Sequence, residues 1–252
     1  MFERFYTVLP SDVGKTGVIK PRNFVNCLQD TADIAVTELK ADVNSALEKG
    51  YAWILVRVKM SVERWPELGE KITIRTWHNV NDSLYTFRAF DVRSLDEKAL
   101  LSGCTSWLLL DIIRSRPVKP KNNLPQLFVH IGKESPYIPD EFSELPRNNE
   151  LNTENSNKKS FDVRLHDLDA NDHVNNAVYI EWAVESVPRE VSLNCQLSGW
   201  DVIYRKGAHY GEEVMVNTQE EPILNDSEIR TFNGIMSIGD TYLCTVRTHW
   251  RK

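Results

Sequence analysis

The sequence predicts an α+β protein made of two tandem copies of one unit, each a long helix covered by a curved antiparallel sheet. Three observations predict it. A stripe of apolar and small residues at helical spacing near the N-terminus is followed by several strand-like runs, the makings of an α+β unit. The same order of elements returns in the second half. Finally, 252 residues with 41% hydrophobic and 10% aromatic side chains suffice for two cores of ordinary size.

Phe24, Cys27, Leu28, Thr31, Ala32, Ala35, Val36 and Leu39 fall at i, i+3, i+4, i+7 and onward. They form one face of a helix entered near Pro21. Residues 40–50 are polar and read as a loop or a short second helix. Strand-like runs follow at 53–62, 71–77, 85–93 and 102–113, the last built on Trp107-Leu108-Leu109-Leu110. Pro66 and Gly69 punctuate the first turn, and Asp96-Glu97 a later one. From residue 135 onward, prolines at 136, 139 and 146 give way to Asn148, Asn149, Asn152, Asn155 and Asn157 with no apolar period. That is the composition of a linker. The expected division is a first domain over 1–133, a linker over 134–159 and a second domain over 160–252.

The second half repeats the first. Setting Asp12 on Asp167 brings Phe24 onto Tyr179; downstream, Gly69-Glu70 matches Gly211-Glu212 and Cys104-Thr105 matches Cys244-Thr245. A sheet curled around one helix is the hot-dog arrangement, so the predicted fold class is α+β, a tandem (double) hot-dog. Residues 167–188 carry the densest polar run and then change period. Val178, Tyr179, Trp182, Ala183, Ser186 and Val187 recur at helical spacing until Pro188, with Asn175 or Asn176 as the N-cap. Asp169, Asn171 and His173 alternate, so an extended backbone would aim all three to one side. They would lie beside a helix N-terminus, where N–H groups hold developing negative charge. In the first copy these positions are Gly14, Thr16 and Val18. The first half is therefore expected to hold substrate and the second to do chemistry.

Other readings of the same residues stand beside this one. An Asp-rich segment before a helix is commonly a solvated cap, and His173 could tie a loop to the helix. His166, Asp169 and His173 offer metal ligands, but Asn171 and Asn175 are poor ones and no further His or Cys lies at ligand spacing. No cofactor motif is present. Glu185 has Arg189 at i+4, the spacing of a solvated helix pair. Arg114, Arg116, Lys119 and Lys121 form a basic run that is either a wet strand end or a landing patch for an acidic partner. A net charge of −6 argues against nucleic acid or an anionic membrane as general partner. No apolar run approaches a membrane span. The first residues resemble neither a signal peptide nor a transit peptide. Cys27, Cys104, Cys195 and Cys244 are scattered, as free thiols in a reducing cytoplasm would be.

The run Asp167-Leu168-Asp169, Asn171, His173-Val174-Asn175-Asn176, Tyr179-Ile180, Trp182, Glu185-Ser186 and Pro188 closely resembles the acyl-acyl-carrier-protein thioesterases. These plant and bacterial enzymes release fatty acids from their carrier, and the resemblance covers nearly the whole chain. It implies a thioester hydrolase acting on acyl-acyl-carrier protein, with Asp169, Asn171 and His173 as a catalytic set. Within that set His173 would activate water or polarise the carbonyl, Asn171 would donate through its amide, and Asp169 would orient them or act on water directly. One position departs from the pattern. The family carries a Glu, in the plant enzymes often beside a Cys, where this chain has Gly207 and Ala208. Glu185 and His209 are the auxiliary candidates for the lost group, and a Glu restored at 207 is expected to share a strand face with Arg205 and His209. The rival readings are an acyl-CoA thioesterase and a non-catalytic acyl-thioester-binding protein. A homodimer is compatible with the pattern, since hot-dog units pair.

Overall fold

The computed structural model describes residues 1–79, 84–128, 145, 156–222 and 228–252. The chain divides into two compact units, Met1–Phe142 and Ser143–Lys252. Most of the expected linker lies outside the described residues. No helix among the described residues is long and apolar enough to cross a membrane.

The first unit runs β1 (Phe2–Thr7), α1 (Pro21–Thr37), α2 (Val43–Glu48), β2 (Tyr51–Val62), β3 (Lys71–Asn79), β4 (Tyr85–Ser94), β5 (Ala99–Asp111), β6 (Arg116–Val118) and α3 (Pro120–Asn123). Its antiparallel sheet has the order β1-β3-β4-β5-β2, with β6 paired to β5. Helix α1 starts on Pro21 and buries Phe24, Val25, Cys27, Leu28, Thr31, Ala32 and Val36, packing against β3. The stripe read from the sequence is that face, except that Ala35 is only half-buried. Leu39 lies past the helix end and packs on a cluster of Val36, Ala41, Leu109, Leu124 and Leu127. The polar stretch after α1 does hold a short helix, capped by the Asp42 carboxylate on the Ser45 N–H at 3.1 Å.

The second unit runs β7 (Asn157–Asp162), α4 (Asn176–Ser186), α5 (Arg189–Asn194), β8 (Gln196–Tyr204), β9 (Glu213–Glu220), β10 (Ile229–Ile238) and β11 (Thr241–Arg251). Its sheet order is β8-β11-β10-β9-β7, again antiparallel. Helix α4 packs on β7, β9 and β11. It buries Ala177 and Ile180 besides the expected stripe, so it is a core helix on most sides rather than an amphipathic one. Asn175 caps it, accepting the Ala177 N–H at 2.8 Å.

Three strand expectations need correction. β1 is an extra edge strand. β7 begins inside the run read as linker, and its side chains are almost all exposed, so no apolar alternation marks it. β5 stops at Asp111, and Ile112 and Ile113 lie in the turn that follows, both exposed.

The duplication reaches the level of single hydrogen bonds. In the first unit the Asp12 carboxylate accepts the Leu9 N–H at 2.8 Å, Gly14 N–H bonds Val18 O, Lys20 N–H bonds Asp12 O, and Ile19 N–H bonds Pro66 O. In the second the Asp167 carboxylate accepts the Arg164 N–H at 3.0 Å, Asp169 N–H bonds His173 O, Asn175 N–H bonds Asp167 O, and Val174 N–H bonds Ala208 O. A bridge closes each loop, Val13 with Ile19 and Leu168 with Val174. Glu70 accepts the Glu67 N–H and Glu212 accepts the His209 N–H, which makes Trp65 the counterpart of Gly207. Both loops thus hang from a buried carboxylate.

Asp167 is fully buried and also receives both Arg164 Nε and Nη2 at 2.9 Å. Removing it strands a backbone donor, so Asp167→Ala should lower unfolding free energy by about 2–3 kcal/mol. Arg164 is largely exposed, so Arg164→Ala should lower it by less than about 1 kcal/mol. Urea unfolding of the two variants checks the contrast; equal losses would mean the ion pair and not the backbone bond holds the loop.

Candidate active site

The segment 168–174 is a closed loop, so the one-sided aim that an extended backbone would give these residues does not apply. Asp169 N–H bonds His173 O at 2.7 Å and Asp172 N–H bonds Asp169 O at 3.2 Å. Asp172 sits at φ +60°, a left-handed conformation that Asp tolerates better than most side chains. That one residue breaks the alternation. Asp169 lies at the centre: its Oδ1 accepts the Asn171 N–H at 2.8 Å and the His173 N–H at 3.4 Å. Asp169, Asn171 and His173 therefore do share one small loop, wrapped around a single carboxylate. Asp169 is half-buried, while Asn171 and His173 are exposed.

The expected role of the helix N-terminus is reduced. Ala177 N–H goes to the Asn175 side chain and Val178 N–H to the Asn175 carbonyl at 2.9 Å. Two donors of the first turn of α4 are thus already occupied, and the Asn171 amide becomes the better candidate to meet an oxyanion.

His209 joins the site. Its ring lies 4.7 Å from that of His173, centroid to centroid. Its Nδ1 is 3.1 Å from Asp172 O, which makes Nδ1 the donor and leaves Nε2 as an acceptor in the neutral ring. Glu212 secures the His209 backbone at 2.7 Å. Below them the Tyr179 hydroxyl accepts the Ala208 N–H at 3.0 Å, and burial raises the phenol pKa so that it remains neutral. Ala208 O in turn holds Val174 N–H. Tyr179 and Glu212 were not among the residues picked from the sequence as site residues. The comparison of copies contains the signal for the first, because its counterpart Phe24 lacks only the hydroxyl.

Glu185 is not brought here. It sits nine residues beyond the start of α4, roughly 14 Å along the axis at 1.5 Å per residue. Its partner is Lys159 at 3.2 Å, on β7. The expected i+4 pair with Arg189 does not apply, since α4 ends at Ser186. His166, Asp169 and His173 do not assemble as ligands: among the described residues no group of three His, Cys, Asp or Glu is placed to hold a metal.

Gly207 has a reason to be glycine. A Cβ there would stand 2.5 Å from His173 Cδ2 and 3.2 Å from Cγ. The imidazole occupies the volume that a side chain at 207 would need. β8 has also ended at Tyr204, so residue 207 lies in an irregular segment with no strand alternation to aim it. In the first copy the same place is filled by Trp65, buried and edge-on to Phe24 at 5.7 Å. Val18 stands for His173 and bridges Glu67. One copy has a polar loop over a glycine; the other has an indole plug.

Two family models match along the chain. The acyl-ACP thioesterase N-terminal domain matches residues 1–127 and the acyl-ACP thioesterase C-terminal domain matches residues 150–252. A chloroplastic palmitoyl-acyl carrier protein thioesterase of Cuphea hookeriana is 25% identical over 214 residues, covering 82% of this chain and 51% of that protein. The chain spans about half the length of the curated relatives it matches. The fold is that of the 12:0-ACP thioesterase from Umbellularia californica, with a TM-score of 0.86 at 18% identity, covering 99% of this chain and 93% of that one. An acyl-ACP thioesterase from Bacteroides thetaiotaomicron gives 0.81 at 18% identity, covering 99% and 97%. With both domain families matched in order along a doubled hot-dog, the chain belongs to the acyl-ACP thioesterase family.

Proposed function

We propose that this chain hydrolyses the thioester of fatty acyl-acyl-carrier protein, releasing free fatty acid, with Asp169, Asn171 and His173 as the catalytic set. The observation that carries the proposal is the asymmetry of the two copies. One hydrogen-bonded frame is present twice, yet only the second copy bears an acid, an amide and an imidazole on it, above a glycine that makes room. Asp169 spends Oδ1 on two backbone donors, which suits an orienting role. His173 is exposed and packs on His209, so it is the group available to take a proton from water. The Asn171 amide then stabilises the oxyanion, and the carrier leaves as a thiol.

The first unit, expected over 1–133, is assigned the acyl tail. It contains a cavity of about 480 Å³ whose apolar wall includes Ala32, Ile34, Val36, Trp53 and Trp107. The size suits a chain-like ligand. In the basic run, Arg114 is held by Asp111 at 3.2 Å and Arg116 lies on β6. That run is offered as the landing patch for the carrier. The four cysteines are unpaired thiols, which fits a reducing cytoplasm.

The deciding assay follows thiol release from acyl-carrier and acyl-CoA thioesters. Faster turnover of the carrier substrate is expected; CoA preference would favour the acyl-CoA reading, and no turnover would favour a binding protein. Asp169→Asn, Asn171→Ala and His173→Ala should each lower turnover at least about 100-fold while leaving the fold intact. Near-normal turnover in all three would remove the assignment.

Gly207→Glu separates the geometry from the family pattern. The restored acid was expected to add a base. Because its Cβ must displace the His173 ring, turnover should instead fall at every pH from about 5 to 9, the range over which carboxylate and imidazole bases titrate. A faster variant anywhere in that range would show that His173 is dispensable.

Ala32→Phe tests the tail assignment. Ala32 is buried on α1 and lines the cavity, so a phenyl ring there should shift release toward shorter acyl chains. An unchanged product profile in a folded variant would move the tail elsewhere.

A further inference from the structure

The cavity of the first unit is not uniformly apolar. Arg88 lines it from β4 and is buried, with 4% of its surface exposed. Its Nη1 donates to Thr76 Oγ1 at 3.2 Å and its Nη2 to His78 Nε2, so among the described residues two of its five N–H groups are used, both on neutral acceptors. Burial, and then the Arg88 charge itself, keeps His78 neutral by holding its pKa well below the usual value. No carboxylate lies at ion-pair distance from Arg88 among the described residues. The acid whose field reaches it is Asp33, which lines the same cavity, as does Asp30; Asp33 is exposed and its Oδ1 accepts the Val43 N–H at 3.1 Å. Burial pulls the guanidinium pKa down to about 9, so it is still a cation at neutral pH.

Two further groups on the same cavity lack partners among the described residues. Thr86, two residues from Arg88 on the same face of β4, has a buried Oγ1 with no hydrogen bond. Arg4 Nη1 is likewise buried and unbonded, although its guanidinium lies 5.9 Å from the Tyr6 ring centre. A plain alkyl chain filling this space would shut water away from the remaining N–H groups of the cation and from the Thr86 hydroxyl. An oxygen atom on the chain is a partner for either group. A hydroxyl accepts from Arg88 and donates to Thr86, and a carboxylate accepts from the guanidinium fork with opposite charge.

We propose that the cavity of the first unit selects acyl chains bearing an oxygen function, a hydroxyl or a carboxylate, and that Arg88 and Thr86 bind that oxygen. This rests on the assignment of the acyl tail to that cavity. The ligand class is therefore an oxygenated fatty acyl thioester rather than a plain saturated one.

The test uses the full chain and dodecanoyl thioesters that are plain, hydroxylated near the thioester, in mid-chain or at the far end, or ended by a carboxylate. Thiol release gives kcat/KM, and calorimetry of the matching non-hydrolysable amides gives Kd. At least one oxygenated chain should exceed the plain chain about 10-fold in both measures, because a site built for a hydrogen bond rejects the analogue that lacks it. Arg88→Met should bring that ratio to about one or below it and leave melting temperature equal or higher, since it removes a buried charge. Thr86→Val should reduce the preference for a hydroxylated chain more than for a carboxylate, and it decides the matter should Arg88→Met misfold. A preference for the plain chain in the wild type, or the same ratio in both variants, would overturn the proposal. Loss of all thiol release with the oxygen-dependent Kd ratio intact would refute the hydrolase reading alone. Calorimetry without binding of any chain would refute the cavity assignment and this proposal with it.

Discussion

A carboxylate shut away from water organises the second unit. The Asp167 side chain takes the Arg164 N–H and the same residue's carbonyl takes the Asn175 N–H, so one buried residue closes both ends of the polar loop. Inside that frame Asp169 draws two more backbone donors onto one oxygen. Charged hydrogen bonds to backbone donors are strong and directional where water is scarce. The exposed groups of the site, Asn171, His173 and His209, are consequently carried by a stiff support and have few structural duties of their own. Asp12 does the same for the first unit, where the Tyr6 hydroxyl is its additional partner at 2.7 Å.

Much of this was legible in the sequence, and the reasons differ from element to element. The α1 stripe was readable because a helix with one buried face writes its period directly. The start of α4 was readable because Asn175 has a side chain suited to a cap and Pro188 bounds the far end. β7 was unreadable for the opposite reason: an edge strand with nearly all its side chains exposed has no alternation to show. The shape of the polar segment, strand or loop, was left open because nothing in the spacing of Asp169, Asn171 and His173 reveals that Asp172 turns left-handed.

The site was legible as a set and not as a geometry. Repeat comparison exposed which copy kept polar groups, since Gly14, Thr16 and Val18 stand opposite them. The match of Gly69-Glu70 to Gly211-Glu212 also sets Trp65 opposite Gly207, although it does not reveal what either residue packs against. The bonds to Pro66 O and Ala208 O, and those of Glu70 and Glu212 to the backbone, hold that register in three dimensions. Gly207 looked like an absence, a carboxylate lost from a strand. In three dimensions it is a space already taken, by an imidazole that needs a neighbour without a side chain.

Trp65 carries a consequence for the history of the chain. A buried indole against Phe24 is part of the packing of its own unit, so it cannot be exchanged for glycine without opening a hole, and large-to-small changes in a core are among the most damaging. Regaining a second site would require that hole together with new side chains at Gly14, Thr16 and Val18, none of which is useful alone. The Trp65→Gly step lowers stability on its own, whatever stands at the other three positions. The indole thus locks the first copy into its present packing, and surface changes alone do not rebuild the second copy's loop upon it.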